Sequence, residues 1–288
     1  MNKKIKNVYQ FLLTLLSILC LTIFCEVAIV KTFLLSSNHW VTEAENSKYI
    51  NNLTQSINES IQDIGMASGI KKGGLKNVIS EADVEKDFNH FVTNAFIGQT
   101  YDINKEAVGD TIRTAVEEYA KKENKPINEI NQASVNQFVE QGVTLYNGKI
   151  HNPIVSTIGL RVTLINRLTN FLLLGSGIFL VVLVICLYFA GTRYKHVFIR
   201  NLAYLVTSTG LLLVSFTLFL TIKKPLAKLS VLDNSMKSWI SASFQSPIII
   251  QIIISVVFLL SGITLSIYSY KEYKKLEKRG FRRKNQAI

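Results

Sequence analysis

The residues with the most chemical potential in this chain lie between Ser80 and His90. Asp83, Asp87 and His90 recur at three- and four-residue spacing, so a helix would put two carboxylates and an imidazole on one face, where a divalent cation could bind. The same residues also suit a solvated helix start, because acidic first turns complement the helix dipole. Two nearby stretches have part of an ion-binding pattern. In Lys71 to Leu75 (KKGGL) backbone amides could cradle an anion, yet neither glycine is followed by Lys and Ser or Thr, as a phosphate loop requires. Tyr101 to Asp110 (YDINKEAVGD) alternates side-chain oxygens at Asp102, Asn104 and Glu106, but Ala107 stands where a calcium loop needs glycine and Arg113 where it needs glutamate. Paired histidine ligands, a Ser-His-Asp set at recognisable spacing and an intramembrane carboxylate pair are missing. The chain is therefore expected to be non-enzymatic, with no cofactor and no metal.

These groups belong to a polar insert, from about Ser36 to Arg167, that separates one apolar run from three others. Val8 to Val30, Thr169 to Ala190, Leu202 to Ile222 and Ile248 to Tyr270 have 21 to 23 residues each. About 20 helical residues cross the ~30 Å hydrocarbon core of a bilayer. Glu26 is the one acidic or basic residue inside these runs. Near the end of the first, it could hold a cation or join an interfacial ion pair with Arg161, Arg167 or Lys31 at the same membrane face. The pattern predicts an all-α integral membrane protein, with four transmembrane helices and a helical extracytoplasmic domain inserted between the first and second.

Net charge is +12, and its placement decides its meaning. The insert holds 13 Lys or Arg against 16 Asp or Glu, close to balance. Positive charge collects instead at Lys3, Lys4 and Lys6, at Arg193, Lys195 and Arg200, and in eight residues from Lys271 to Lys284. Flanking Lys and Arg resist translocation, which predicts a multi-pass cell-membrane protein with both termini cytoplasmic. Lys223, Lys224, Lys228 and Lys237 oppose that orientation, and are outweighed by the two termini. Basic residues that lie against a membrane, and not on a folded face, exclude nucleic acid as a partner.

The predicted divisions are residues 1-35 (cytoplasmic N-terminus and first transmembrane helix), 36-167 (extracytoplasmic helical domain), 168-270 (three transmembrane helices) and 271-288 (basic cytoplasmic tail). An external amphipathic loop is expected at 223-247, with Leu229, Leu232, Met236 and Ile240 in helical period, Asp233 paired with Lys237, and Trp239 at a membrane interface. The N-terminal run reads as an uncleaved anchor, because Glu26-Val27-Ala28 places a carboxylate where signal cleavage needs a small residue. Cys20, Cys25 and Cys186 all fall in apolar runs, so no disulfide staples the insert.

Within the insert, Ile50, Leu53, Ile57, Ile61 and Ile64 predict a helix from about Val41 to Ala67. Ser80 is positioned to cap a second, with Val84, Phe88, Phe91, Val92 and Ala95 inward. A third carries Val108, Ile112, Ala115 or Val116, and Tyr119 inward and ends near Glu123. A fourth carries Val135, Phe138, Val139 and Tyr146 and closes at Asn147-Gly148. Asn152 and Pro153 then have the chemistry of a cap and first turn, and no turn follows before Ala190, so one helix is expected to run from the insert through the second span, with Ile154, Ile158, Val162 and Ile165 in period. Gly175, Gly177, Gly210, Gly262 and Ser266 offer small faces for helix contact.

This layout, together with the run from Gly73 to Phe91 (GGLKNVISEADVEKDFNHF), resembles uncharacterised membrane proteins of Gram-positive bacteria with one span, a helical extracytoplasmic domain and three closing spans. The resemblance implies no activity and no site residues. The function expected is a scaffold or sensor of the cell envelope, whose external domain binds a partner protein, an envelope polymer or a small ligand. The alternative is an accessory subunit of a transporter or channel. Lys274, Lys275, Arg282 and Arg283 are candidates for contact with anionic lipids of the bilayer or with a partner.

Overall fold

The computed structural model describes the backbone of residues 3–124, 129–191, 195–223 and 233–285, and the side chains of 7–124, 132–190, 195–222 and 233–277. Among the described residues the regular elements are all helical: α1 (Lys3–Ile29) continuing into a π-helical turn (Val30–Leu34), α2 (Ser37–Asn46), α3 (Tyr49–Ala67), α4 (Glu81–Ile97), α5 (Lys105–Lys122), α6 (Glu129–Ile150), α7 (Pro153–Gly191), α8 (Lys195–Lys223) and α9 (Asn234–Asn285). They form two compact units. The first comprises Met1–Thr32, Arg167–Ser230 and Phe244–Ile288, the second Phe33–Asn166 and Val231–Ser243.

Asn7–Leu34, Pro153–Ala190, Lys195–Ile222 and Asn234–Glu277 are each long and apolar enough to cross a membrane, which makes this a multi-pass membrane protein by length and composition. In the first unit the usual distribution of side chains is inverted. Phe171, Phe189 and Leu260 are exposed, whereas Ser17, Thr209 and Ser255 are fully buried. Ser17 and Ser255 donate to the carbonyls of Leu13 and Gln251 one turn back, so their hydroxyls are satisfied within their own helices. Small residues set the helix spacing. A methyl group added at Gly210 would come within 3.1 Å of the Ser255 carbonyl oxygen, and one at Gly262 would collide with Thr207, so α8 and α9 approach to backbone contact.

The second unit is built on an aromatic cluster. Trp40, Tyr49, Phe88 and Trp239 are all buried, with Tyr49 stacked on Trp239 at 4.8 Å and Phe88 edge-on to it at 5.3 Å. Trp239 meets Trp40 edge to face at 5.6 Å and donates its indole N–H to the Trp40 carbonyl at 2.9 Å. The Trp40 indole in turn donates to the Leu34 carbonyl. Trp239 is therefore a core residue and not an interfacial one. Met236 and Ile240 are buried beside it in sequence, and the helix they open runs on to Asn285 with Pro247 inside it. Leu229 and Leu232 lie outside the described residues. Phe33–Asn166 and Val231–Ser243 thus belong to one compact unit, although 64 residues of sequence separate them.

The expected helix from Val41 to Ala67 is two helices. The chain turns at Ser47 and Lys48, where Lys48 takes the left-handed conformation, φ 60°, and lets Trp40 and Tyr49 reach the same core. Ile50, Leu53, Ile57 and Ile61 are buried as their period requires. Helix α4 starts at Ser80, whose hydroxyl accepts the Asp83 N–H at 3.1 Å, and buries Val84, Phe88, Phe91 and Val92. Helix α6 does not stop at Asn147-Gly148 but continues to Ile150, because Tyr146 and Ile150 are both fully buried and hold that turn in register.

Helix α7 is unbroken for 39 residues, about 58 Å. Asn152 caps it by accepting the Ile154 N–H at 2.9 Å. Its inward stripe is Val155, Gly159 and Val162, with Ile165 exposed, a register set by one close approach. A methyl group at Gly159 would lie 2.5 Å from the Ala95 carbonyl oxygen, so α7 crosses α4 at a point that only glycine allows.

Truncating Trp239 removes the centre of the aromatic cluster. Trp239→Ala is expected to destabilise the second unit by about 3–5 kcal/mol, measured by urea unfolding followed by circular dichroism, while Trp239→Phe is expected to recover part of the loss.

Candidate functional site

Asp83, Asp87 and His90 share a face of α4 but do different work. The Asp83 carboxylate accepts the Ser80 hydroxyl at 2.6 Å, which completes the helix cap. Asp87 is clasped by two phenols: Tyr101 donates to Oδ1 at 2.7 Å and Tyr146 to Oδ2 at 2.8 Å. His90 stacks on the Tyr101 ring at 5.6 Å, and His151 lies against the same ring at 6.3 Å. This network ties α4 to α6 and to the segment preceding α5. Among the described residues no group of three or more His, Cys, Asp or Glu is placed to hold a metal ion. Burial, and then the hydrogen bond to Asp87 and its charge, push the Tyr101 and Tyr146 phenols above the ordinary range. Burial, with the charge of Asp233, does the same to Tyr49.

The KKGGL segment is held to α5. Tyr119 accepts the Lys71 N–H at 3.0 Å, and the Lys71 ammonium pairs with Glu123 at 2.6 Å. That hydrogen bond and the Glu123 charge shift the lysine upward. Asn104, in the calcium-like stretch, caps α5 by accepting the Ala107 N–H at 3.1 Å.

Two polar clefts border α3. The larger, about 700 Å³, runs between α3 and the segment 75–81. Its α3 wall carries Asn51, Gln55, Glu59 and Gln62 at helical spacing, with Lys76 and Ser80 opposite. Asn58 fixes the geometry: its buried carboxamide accepts the Ile79 N–H at 2.9 Å and donates to the Ile79 carbonyl at 3.0 Å, stapling the segment to the helix. The smaller cleft, about 410 Å³, opens where α6 ends and α7 and α9 begin. Lys149 lines it with its ammonium 3.0 Å from the Ser56 hydroxyl, and Asp233 lines it while capping α9 by accepting the Met236 N–H at 2.7 Å. Burial raises the Asp233 acid, but hydrogen bonds from Met236 and Ser235 and the charge of Lys149 bring it below the usual carboxylate range. The pairing expected between Asp233 and Lys237 is replaced by this cap, with Lys237 donating only its backbone N–H to the Asp233 carbonyl.

In the first unit, Glu26 accepts a hydrogen bond from Gln251 at 2.7 Å, and the same amide donates to the Leu213 carbonyl at 3.3 Å. Glu26 is in neither of the two described ion pairs, Lys71–Glu123 and Lys275–Glu272. Lys31 bonds to Asn170. Arg161 and Arg167 are exposed on α7. The π-helical turn carries the first span on to Leu34, which places Glu26 roughly 12 Å from its end, deeper than the apolar run alone suggests. Beyond the fourth span α9 continues as helix through Lys271 to Asn285, with Lys274 over the Tyr270 ring at 5.0 Å and Lys275 paired with Glu272. The side chains of Arg282 and Arg283 lie outside the described residues.

Sequence reasoning missed the tyrosine clasp, the Gln251 partner and the cleft charges. Only one had a local signal: Asp233-Asn234-Ser235 ahead of a helical run is a cap signature. No protein-family model matches the chain, and comparison with curated proteins and with solved structures finds no match.

A phenol held protonated by the fold contributes stability that is complete below the unfolded pKa of ~10 and is lost as pH rises above it. Tyr49, Tyr101 and Tyr146 are therefore expected to ionise late and together with unfolding, seen as a cooperative step in tyrosinate absorbance above about pH 10. Tyr146→Phe is expected to cost about 1.5–3 kcal/mol and to shrink that step.

Proposed function

We propose that this is a non-enzymatic cell-membrane protein of the envelope, with both termini cytoplasmic and an extracytoplasmic helical domain that binds a partner protein, an envelope polymer or a small ligand as a scaffold or sensor. The observation that carries the reading is the cleft along α3. Its walls carry carboxamides and hydroxyls that both donate and accept hydrogen bonds, together with the charges of Glu59, Lys76 and Glu81, and the Asn58 staple fixes their spacing. Such a surface suits recognition, because donors and acceptors both face the cleft. Charge supports the orientation, since the eight basic residues after the fourth span favour the cytoplasmic side and offer Lys274, Lys275, Arg282 and Arg283 to anionic lipids or a partner.

A photo-crosslinking residue at Gln55, on the cleft wall, is expected to capture a discrete adduct in native membranes. The same residue at Glu117, exposed on α5, is expected to capture none. Equal capture at both positions, or none at Gln55, rejects the cleft as the binding surface.

A second reading, an accessory subunit of a transporter or channel, is favoured by the Glu26–Gln251 pair, because intramembrane carboxylates mark ion and proton pathways. It expects ion flux in liposomes containing the purified protein and its loss in Glu26→Gln. Absence of flux in the unaltered protein removes this reading.

A further inference from the structure

We propose that the smaller cleft of the second unit binds a small zwitterion, an α-amino acid or dipeptide, with the ligand carboxylate on Lys149 and its ammonium on Asp233. This rests on the reading of the second unit as a ligand-binding domain and names the ligand class for a site distinct from the α3 cleft.

Two opposite charges, Lys149 and Asp233, share this cleft and form no ion pair among the described residues. Each is tied to its own wall. Ser56 holds the Lys149 ammonium, and the Met236 N–H and the Ser235 hydroxyl, both at 2.7 Å, hold the Asp233 carboxylate. The two groups still sense each other, since the lysine charge helps lower the Asp233 acid. Charges that attract yet are held apart can be bridged by a molecule carrying the complementary pair. An anion alone would meet Asp233 and a cation alone Lys149, so either is opposed by one wall, whereas a zwitterion satisfies both.

The rest of the lining fits a molecule of that size. Asn52 and Asn152 supply amides that donate and accept, while the buried Tyr49 and Leu53 contribute apolar surface for a side chain. A volume of about 410 Å³ exceeds one amino acid and suits an amino acid with water or a dipeptide. Lys149 in the last turn of α6 and Asp233 at the start of α9 each complement a helix end, which accounts for their charges singly. It does not account for both facing one polar cleft unpaired.

The test uses the full chain in phosphatidylglycerol nanodiscs and calorimetric titration with the proteinogenic amino acids and alanyl dipeptides. Controls are the N-acetyl and carboxamide derivatives of any binder. At least one zwitterion is expected to bind with Kd below about 1 mM, and blocking either charge to weaken it at least about tenfold. Lys149→Met is expected to abolish the preference for the free carboxylate over the carboxamide. Asp233→Asn, which keeps a good helix cap, is expected to abolish the preference for the free amine. No heat from any zwitterion at about 10 mM, equal binding of the blocked derivatives, or unaltered selectivity in both variants overturns the proposal. If Gln55 crosslinking succeeds in the same protein while titration fails, the zwitterion assignment is wrong and the binding domain stands; failure of both removes the domain reading as well.

Discussion

The contact between Trp40 and Trp239 is the constraint on which the second unit depends. The two residues are 199 positions apart, and both tryptophans of the chain are spent on this one junction. The indole N–H of one reaches the backbone of the other, so the contact is directional as well as apolar. Tyr49 and Phe88 close on Trp239 from α3 and α4, which makes the late segment Val231–Ser243 part of a core otherwise built from Phe33–Asn166.

The first unit is stabilised differently. With apolar side chains on its outside, burial of greasy surface cannot distinguish one helix packing from another. Close approach does so instead, through Gly210 against the Ser255 carbonyl and Gly262 against Thr207. Hydrogen bonds between helices add specificity: the Cys20 thiol donates to the Ser176 carbonyl at 3.2 Å, Gln10 to the Ala190 carbonyl at 2.7 Å and Ser269 to the His196 carbonyl at 2.9 Å. Gln251 belongs to this set, and what distinguishes it is that its partner is a carboxylate.

Much of this fold is legible in the sequence where the information is local. Ile57 and Ile61, Val84 and Phe88, and Ile112 and Val116 announce their helices by period, and all are buried. Ser80, Asn104 and Asn152 are caps because their side-chain oxygens reach amides two or three residues on. What escapes is everything decided at long range. Trp239 has the same helical spacing whether it faces lipid headgroups or a protein core, and only Trp40 decides between them. Asp87 looks like one member of an acidic face until Tyr101 and Tyr146, 14 and 59 residues away, consume its oxygens. The α7 register shifts by one residue from its apolar period because Gly159, which carries no hydrophobic signal, must meet Ala95.

The smaller cleft gathers three helix ends, and its polar groups serve those ends. Asn152 lines the cleft and caps α7, Asp233 lines it and caps α9, and both helices continue through spans. A cap of this kind is worth about 0.5–2 kcal/mol to its helix. Coupling between distant sites in proteins is typically about 1–3 kcal/mol. A molecule that draws on the Asp233 or Asn152 oxygens thus acts on bonds of the right magnitude to bias the first turns of α7 and α9. It does so only to the extent that it binds capped and uncapped arrangements unequally. Were a ligand held there, its contacts would fall on the first turns of α7 and α9, which a cleft on the side of a helix, such as the one along α3, does not reach.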